Sequence, residues 1–251
     1  MIYRAILAGF CCCLAARAVQ AAPIIPDCAG TPLQGTARLK AVDDSGALIL
    51  TDGRQVVVEG LRLPHGTDPL AAKARAAIAA LLQNRPLVLA VTAPATDRYG
   101  RLRAQIFGED WLQMDLLKAG MAQVQIASDR SECAPDFYEA ETVARAAKAG
   151  LWALAANRVR KPEEMKDAAG LFAIVEGPIA KVGRYDGRLF LDFSGGFTAT
   201  AAPEDAKAFR DLDPPVEDWA GKRVRLRGIV QIYAGRPEIA LATPWQVELL
   251  P

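Results

Sequence analysis

The sequence predicts two small domains in tandem: an α+β domain at residues 22–156 and a mainly β domain with one helix at residues 171–251. Each half has its own series of short strand-like segments bounded by turn residues. Helical segments are concentrated in the first half, as in an α+β arrangement. Charged residues and a proline interrupt the apolar pattern from residue 157, so residues 157–170 are expected to be a linker.

The first domain is predicted to contain five strands and three helices. The strands are expected at residues 36–42, 47–51, 55–61, 87–92 and 102–107. The helices are expected at residues 70–82, 111–118 and 137–154. Asp52-Gly53 favours a hairpin turn before the third strand, whereas Pro86 and Gly120 follow the first two helices, where such residues end helical segments.

The second domain is predicted to be a small closed barrel. Its strands are expected at residues 171–182, 188–193, 197–201, 222–233, 238–241 and 247–250, and its helix at residues 203–212. Asp186-Gly187 and Gly195-Gly196 supply turns between strands. Within residues 222–233, basic side chains at 223, 225 and 227 alternate with Val224, Leu226 and Gly228, so one face of that strand is expected to contact water. A β-sandwich is the alternative architecture.

Residues 1–21 have the pattern of a signal peptide. Arg4 is followed by an apolar run at residues 5–16, and Val19 and Ala21 are small residues at the positions that a signal peptidase reads. The run is shorter than the ~20 residues that span a bilayer, and no transmembrane segment is expected in the mature chain. The protein is therefore predicted to be periplasmic or secreted. Cysteines at 11–13 leave a lipid anchor as an alternative.

Two cysteines remain after residue 21, and they are expected to form a disulfide. Cys28 and Cys133 are an even pair in a chain predicted to be exported. A reactive thiol pair or a metal site is the alternative, but neither cysteine has a second Cys or a His nearby in the sequence. The predicted bond closes a loop of about a hundred residues, which is long enough to stabilise the fold substantially.

The net charge argues against strong, non-specific binding of nucleic acid. Residues 1–21 contain two of the 30 Lys and Arg residues and none of the 29 Asp and Glu residues, so the remainder has a formal charge of −1. Non-specific binders of nucleic acid have a clear basic excess that neutralises phosphates. Any polyanion site in this chain must therefore be local.

The turn Asp97-Arg98-Tyr99-Gly100-Arg101, with a strand expected after it, resembles a turn of the thermonuclease (staphylococcal-nuclease-like) family. Further segments that resemble this family are residues 40–43, 52–56, 111–120 and 141–152. The resemblance covers residues 36–153. It implies that the first domain is a five-stranded barrel of the oligonucleotide/oligosaccharide-binding (OB) type, with three helices.

The resemblance also implies a calcium site, but this sequence departs from the family there. Thermonucleases cut phosphodiesters with calcium held by aspartates, a glutamate general base and two arginines on the phosphate. The two metal-binding aspartates correspond here to Ser45 (or Asp44, after a shift of one residue) and to Arg62. Calcium needs several oxygen ligands, and a fixed positive charge repels it. We therefore expect no metal site and no cofactor.

Only one of the three remaining catalytic positions keeps its residue. The first phosphate-binding arginine corresponds to Val57, the base to His65, and the second arginine to Arg101. Arg101 and His65 are thus the catalytic candidates, and Arg62 with Arg101 the candidates for anion binding. Alternatively, His65 is an ordinary solvated residue and Arg101 serves the turn itself through Asp97.

The second domain resembles small OB-like barrels appended to bacterial thermonuclease-like proteins. Such barrels bind single strands by stacking bases over a basic groove. The candidates for that groove and for stacking are Arg223, Arg225, Arg227, Tyr185, Phe190, Phe193 and Tyr233. Alternatively, the phenylalanines belong to the core and the arginines are solvated.

Three functions remain open from the sequence. The leading hypothesis is a catalytically degenerate thermonuclease-like protein that acts as a binding or scaffold module. The second is an active phosphodiesterase with a rebuilt site around Arg101, His65 and Arg62. The third is a purely protein- or envelope-binding protein that uses surfaces unrelated to the family's pocket. Nucleic acid and an envelope protein are the partner classes considered, and the sequence indicates no oligomeric state.

Overall fold

The computed structural model describes residues 23–251, so the predicted signal peptide and the cysteines at 11–13 lie outside the described residues. Mixed α and β structure is confirmed, with several sheets and both α- and 3-10 helices. Within residues 23–251, no helix has the length and apolar character needed to cross a membrane.

The N-terminal domain is built around a closed ring of strands. The elements are β1 (Thr31–Pro32), β2 (Leu39–Val42), β3 (Leu48–Leu50), β4 (Gln55–Val58), β5 (Leu61–Arg62), α1 (Ala71–Leu82), β6 (Val88–Val91), β7 (Leu102–Phe107), α2 (Leu112–Lys118), β8 (Gln123–Val124) and α3 (Ala134–Ala146). The main sheet has the order β1-β6-β7-β4-β3-β2, in which only β4 and β7 are parallel. Ala37 and Leu87 exchange backbone hydrogen bonds of 3.1 and 2.8 Å, which join the chain before β2 to the chain before β6 and close the ring.

Side-chain spacing explains why these elements form one core. The strands alternate between buried and less buried residues, as with Val56 and Val58 on the inner face of β4. In α1 the buried residues Ala74, Ile78 and Leu82 recur every four positions and form one apolar stripe. Short strands β5 and β8 pair with each other outside the main sheet.

The third helix differs from the predicted residues 137–154. It begins at Ala134, ends at Ala146 and is followed by a 3-10 helix at Gly150–Ala153. Lys148 and Gly150 have φ of +51° and +50°, which a continuous right-handed helix does not allow. A Cβ on Gly150 would lie 2.3 Å from the carbonyl oxygen of Gly120. The helix therefore stops so that this backbone can cross the end of α2.

The C-terminal domain repeats the same strand order. Its strands are β9 (Phe172–Pro178), β10 (Lys181–Tyr185), β11 (Arg188–Asp192), β12 (Thr198–Ala201), β13 (Arg223–Tyr233), β14 (Arg236–Ala240) and β15 (Val247–Leu249). The pairing order is β10-β11-β12-β14-β13. The strand β13 is long enough to pair also with β9, through residues 223–229, and with β15, through residues 224–226. Again only one pair, β12 with β14, is parallel. Because β9 leads directly into β10, the pairing of β9 with β13 completes the ring.

The α-helix predicted at residues 203–212 is wrong. Two 3-10 helices, Asp205–Phe209 and Val216–Trp219, occupy this connection between β12 and β13. Prolines at 203, 214 and 215 bound the first of these turns, and Pro214 with Pro215 prevents one α-helix from running through both. Phe209 and Trp219 are nevertheless buried, so the two turns cover the barrel as the predicted helix would have done.

The segment predicted as a linker contains ordered structure. Pro162–Ala168 is a 3-10 helix whose Met165 and Ala168 are fully buried in the second hydrophobic core. Arg160 forms a parallel bridge to Val175 of β9. The buried side chains fall into two large clusters, one in each half of the chain, and a small third cluster that includes Ala144 and Ile174.

A buried ion pair joins the two halves. The Arg227 guanidinium on β13 donates to both carboxylate oxygens of Glu141 on α3, at 3.0 and 2.8 Å, and to Glu248 at 2.7 Å. Arg227 is 2% exposed and Glu141 is 0% exposed. Burial alone would lower the pKa of Arg227, but the facing carboxylates outweigh it and the pKa is raised. The Arg227 guanidinium also lies 4.5 Å from the centroid of the Tyr138 ring.

Glu141→Gln should destabilise the chain by about 3–5 kcal/mol, because it leaves the buried charge of Arg227 without its main partner. Urea unfolding of residues 22–251 measures this change. Arg184 and Glu217 form an exposed ion pair at 2.9 Å, and Glu217→Gln is the control, expected to cost about 0–1 kcal/mol. Equal effects of the two substitutions would contradict the assigned role of Glu141.

The predicted disulfide is present in the structure. Cys28 and Cys133 are bonded across a sequence separation of 105 residues, and the bond connects the segment before β1 to the start of α3. Disulfides persist in oxidising compartments, so the bond is consistent with a location outside the cytoplasm.

Replacing both Cys28 and Cys133 by alanine should lower the free energy of unfolding by about 2–5 kcal/mol, because the unfolded chain loses a long cross-link. Thermal or urea unfolding of residues 22–251, with and without reductant, measures the effect. Reductant should change the stability of the parent chain and leave the double variant unaffected. Free thiols in the unreduced, denatured parent chain would contradict the bond.

Candidate functional site

The residues singled out from the sequence lie around one cleft on the N-terminal domain. This cleft has a volume of about 250 Å³. Its lining includes Ser45, Val57, Arg62, His65 and Arg101. The cleft thus contains all five positions that the family resemblance indicated, although they come from four separate stretches of chain.

The turn between β2 and β3 forms one wall. A carboxylate oxygen of Asp43 accepts hydrogen bonds from the Ser45 amide (2.8 Å), the Ser45 hydroxyl (2.7 Å) and the Ala47 amide (3.0 Å). Asp43 is thus used within the turn. Asp44 is 99% exposed in its side chain and lies 3.7 Å from Arg75. Neither aspartate lines the cleft.

Arg62 enters the cleft from β5. Its guanidinium donates to the Gln123 side-chain oxygen at 3.1 Å and lies 5.0 Å from the centroid of the Phe172 ring, which belongs to β9 of the C-terminal domain. Partial burial lowers the pKa of Arg62, opposed by the charge of Asp68. An arginine remains protonated at neutral pH even so, and the cleft therefore contains a cation.

His65 lies in the loop after β5 and is exposed. Its Nδ1 is 3.0 Å from the carbonyl oxygen of Leu63. Because a carbonyl oxygen only accepts hydrogen bonds, the neutral ring must carry its proton on Nδ1. The Nε2 lone pair of this tautomer is then available to accept a proton or a hydrogen bond.

Arg101 lies directly before β7, and Asp97 orients its side chain. Nε and Nη2 of Arg101 donate to one carboxylate oxygen of Asp97 at 2.9 and 2.8 Å. The other oxygen accepts from the amides of Tyr99 and Arg101. Burial would raise the pKa of Asp97, but these hydrogen bonds outweigh it and lower the pKa. Arg101 therefore stabilises its own turn and also lines the cleft.

The side chains of the cleft do not fit a calcium ion. Calcium takes about six to eight oxygen ligands, mainly from carboxylates. The cleft lining contains one hydroxyl, no carboxylate and two arginines among the described residues. Across residues 23–251, no cluster of three or more His, Cys, Asp or Glu has metal-binding geometry. The arrangement instead suits an anion.

Sequence reasoning missed a charged network beside the disulfide. Arg103 on β7 makes two hydrogen bonds to Glu59, at 2.7 and 3.2 Å, and two to Asp129, at 2.7 and 2.9 Å. The hydrogen bonds from Arg103 lower the pKa of Asp129. Arg130 donates to the carbonyl oxygens of Thr92 and Pro94. No local spacing links these residues, because their separations in sequence are set by the fold.

The arginines of β13 do not form an open basic groove. Arg223 and Arg225 each pair with Glu176 at 2.7 Å, and Arg227 is buried against Glu141. The expectation of a basic groove along this strand is therefore wrong, because glutamates on neighbouring elements neutralise it. Of the aromatic candidates, Tyr185 and Tyr233 are exposed, Phe190 is half-buried and Phe193 is buried.

The ring with one parallel pair, the Asp97 turn and the cleft together are features of a nuclease-fold domain. Residues 57–154 match the model of a protein family described as staphylococcal nuclease homologue. The chain therefore contains a staphylococcal-nuclease-like domain, and Val57, Arg62, His65 and Arg101 fall inside the matched range. No curated protein matches this chain.

Asp97→Asn should destabilise the chain at pH 7 and much less at pH 3. The pKa of Asp97 is lowered in the folded state, so its stabilising contribution is present above the ordinary value near 3.8 and is lost as the pH falls through the folded value. Unfolding midpoints at both pH values measure the difference between variant and parent. A difference independent of pH would show that the charge of Asp97 is not what stabilises the turn.

Proposed function

We propose that this is an exported, thermonuclease-like protein that binds phosphate groups in its cleft without a metal ion and lacks calcium-dependent nuclease activity. The observation that carries the proposal is Arg62, which lies in the cleft at the position where the family has a metal-binding aspartate. In this proposal the protein acts as a binding or scaffold module for a phosphate-containing ligand, with Arg62 and Arg101 as the anion-binding residues.

Electrostatics supports the loss of the metal-dependent reaction. Two like charges ~4 Å apart repel by about 4 kcal/mol at an effective dielectric constant near 20. Arg62 therefore opposes a cation and favours an anion at the same place. Val57 carries no charge for the phosphate, and a missing base or charge-stabilising group typically costs about 10²–10⁴-fold in rate each.

The shared cleft also favours ligand binding there over a function that uses unrelated surfaces. Arg62, His65 and Arg101 line one concavity. The C-terminal domain has the strand order expected of an OB-type barrel, with its one parallel pair between β12 and β14. We include in the proposal that this second domain is OB-like and supports the site through Phe172.

A metal-independent phosphodiesterase is the second candidate, and the hydrogen bond between His65 Nδ1 and Leu63 favours it. That contact leaves Nε2 of the neutral ring available as a general base. In this reaction His65 would take a proton from water, and the water oxygen would attack phosphorus as the bond from phosphorus to the leaving oxygen breaks. A proton from solvent water would neutralise the leaving oxygen, and Arg62 with Arg101 would stabilise the charge on the phosphoryl oxygens.

Calorimetric titration of residues 22–251 with inorganic phosphate tests the binding site. Arg62→Ala and Arg101→Ala should each weaken binding by roughly 10- to 150-fold, since hydrogen bonds to charged groups contribute about 1.5–3 kcal/mol. Arg98→Ala is the matched control, because Arg98 lies in the same turn, is exposed and does not line the cleft. No binding by the parent chain would overturn the proposal.

A nuclease assay on the same chain separates the two candidates. Single- and double-stranded DNA and RNA are incubated with calcium, magnesium or chelator. The binding function predicts no cleavage under any condition, and cleavage lost in chelator would contradict it. Cleavage that survives chelator and disappears in both His65→Ala and Arg101→Ala, but not in Arg98→Ala, would establish the phosphodiesterase instead.

A further inference from the structure

A pocket larger than the cleft lies on the C-terminal domain, where the loop after β8 approaches it. This tryptophan pocket has a volume of about 460 Å³, inside the ~300–1,000 Å³ typical of small-molecule sites. Its apolar lining includes Leu212, Trp219, Trp245, Val247 and Leu249. The tryptophan pocket shares no lining residue with the cleft, so it is a separate concavity.

The chain around both tryptophans is fixed by hydrogen bonds and packing. The indole nitrogen of Trp219 donates to the Pro214 carbonyl oxygen at 3.0 Å, and the Trp219 ring meets Phe209 edge-on, with centroids 6.5 Å apart. On the opposite side, the Tyr138 hydroxyl of α3 donates to the Trp245 carbonyl oxygen. Trp219 is buried, whereas Trp245 is 36% exposed. The pocket is therefore preformed, which lowers the entropic cost of binding a ligand.

The polar groups of this lining are hydroxyls and one carboxylate. Ser128, Ser131 and Thr243 contribute the hydroxyls, and Asp213 is the one charged residue among the described residues of the lining. Asp213 is exposed, and its carboxylate has no ion-pair or hydrogen-bond partner within residues 23–251. The pocket therefore has an unpaired negative charge at its mouth and the buried Trp219 further inside.

The chain on either side of Asp213 is acidic as well. Residues 204–218 contain six acidic and two basic residues. Of these six carboxylates, only that of Glu217 is in an ion pair within residues 23–251, with Arg184. Such a cluster produces a negative potential that attracts cations and repels anions. The tryptophan pocket is thus opposite in charge to the cleft, whose lining contains two arginines.

We propose that the tryptophan pocket binds a small organic cation: an ammonium ion with an apolar, aromatic body. The body packs against Trp219 and Val247, and the ammonium group donates to the Asp213 carboxylate at the mouth. The tryptophans add selectivity for a cation, because the face of an indole ring attracts positive charge. This binding site is independent of the phosphate site in the cleft.

Calorimetric titration of residues 22–251 at pH 7 with three ligands that share a phenylalkyl body tests the site. The amine 4-phenylbutylamine is protonated at this pH, 4-phenylbutan-1-ol is neutral and 4-phenylbutanoate is an anion. The amine should bind roughly 3- to 30-fold tighter than the alcohol, the combined range of an exposed ion pair and a cation–π contact. The anion should bind more weakly than the alcohol.

Asp213→Asn tests the assigned carboxylate. This variant should bind the amine about 2- to 5-fold more weakly, the effect of one exposed ion pair, and should bind the alcohol as the parent chain does. Asp211→Asn is the matched control, because Asp211 is exposed, lies two residues away and does not line the pocket. It should keep the full preference for the amine.

Trp245→Ala tests whether the ligands occupy this pocket. The variant should bind both the amine and the alcohol about 2- to 10-fold more weakly, because one aromatic contact is lost. Trp245 is exposed, so the variant is expected to fold. Tyr233→Ala is the control, since Tyr233 is an exposed aromatic residue of the same barrel outside the lining, and it should change neither affinity.

Three results would overturn the cation site. The first is no binding of the amine by the parent chain, and the second is equal or tighter binding of the alcohol or the anion. The third is a preference for the amine that survives Asp213→Asn, or that Asp211→Asn lowers equally, because the preference would then come from the acidic surface in general. Arg62→Ala should leave amine binding unchanged, so this site and the phosphate site can fail separately.

Discussion

The buried ion pair between Arg227 and Glu141 is the interaction on which the arrangement of the rest depends. Glu141 also accepts a hydrogen bond of 2.7 Å from the Val124 amide on β8. β8 pairs with β5, where Val124 is opposite Leu61 and Gln123 is opposite Arg62. A continuous path of hydrogen bonds therefore runs from the second barrel through α3 to the strand that carries Arg62. Because a buried charge tolerates no missing partner, this path fixes one relative position of the domains.

Two rings of identical strand order have acquired different surfaces. Both rings contain one parallel pair, β4 with β7 and β12 with β14. In both, a helical segment follows the first strand of that pair and leads to β6 or β13. The first ring is extended by β5, β8 and three α-helices, and its cleft is lined by β4, β5 and the loops around them. The second ring has only short 3-10 helices, and its β13 strand contributes Arg227 and Ile229 to the contact region. The cleft therefore belongs to the first ring.

Features encoded by local patterns could be predicted from the sequence, and those created by long-range contacts could not. Apolar alternation located most strands, and a family resemblance identified the five positions that meet in the cleft. The end of α3 depends on the approach of Gly150 to Gly120, which no helical periodicity reveals. In the sequence, Arg227 is one of three basic residues that alternate with apolar ones or glycine. Its partner Glu141 is 86 residues away, so no local pattern indicates the ion pair. The Glu59–Arg103–Asp129 network was missed for the same reason.

Arg62 brings a positive charge into the cleft, and the surrounding structure accommodates it. A half-buried guanidinium needs partners that stabilise its charge, since burial lowers its pKa. Here the compensation is neutral: the Gln123 oxygen and the face of Phe172, with no carboxylate within ion-pair distance among residues 23–251. The positive charge is therefore oriented but not cancelled, whereas Arg223 and Arg225 are cancelled by glutamate. Because Phe172 comes from the second domain, both domains contribute to the surroundings of this cation in the cleft.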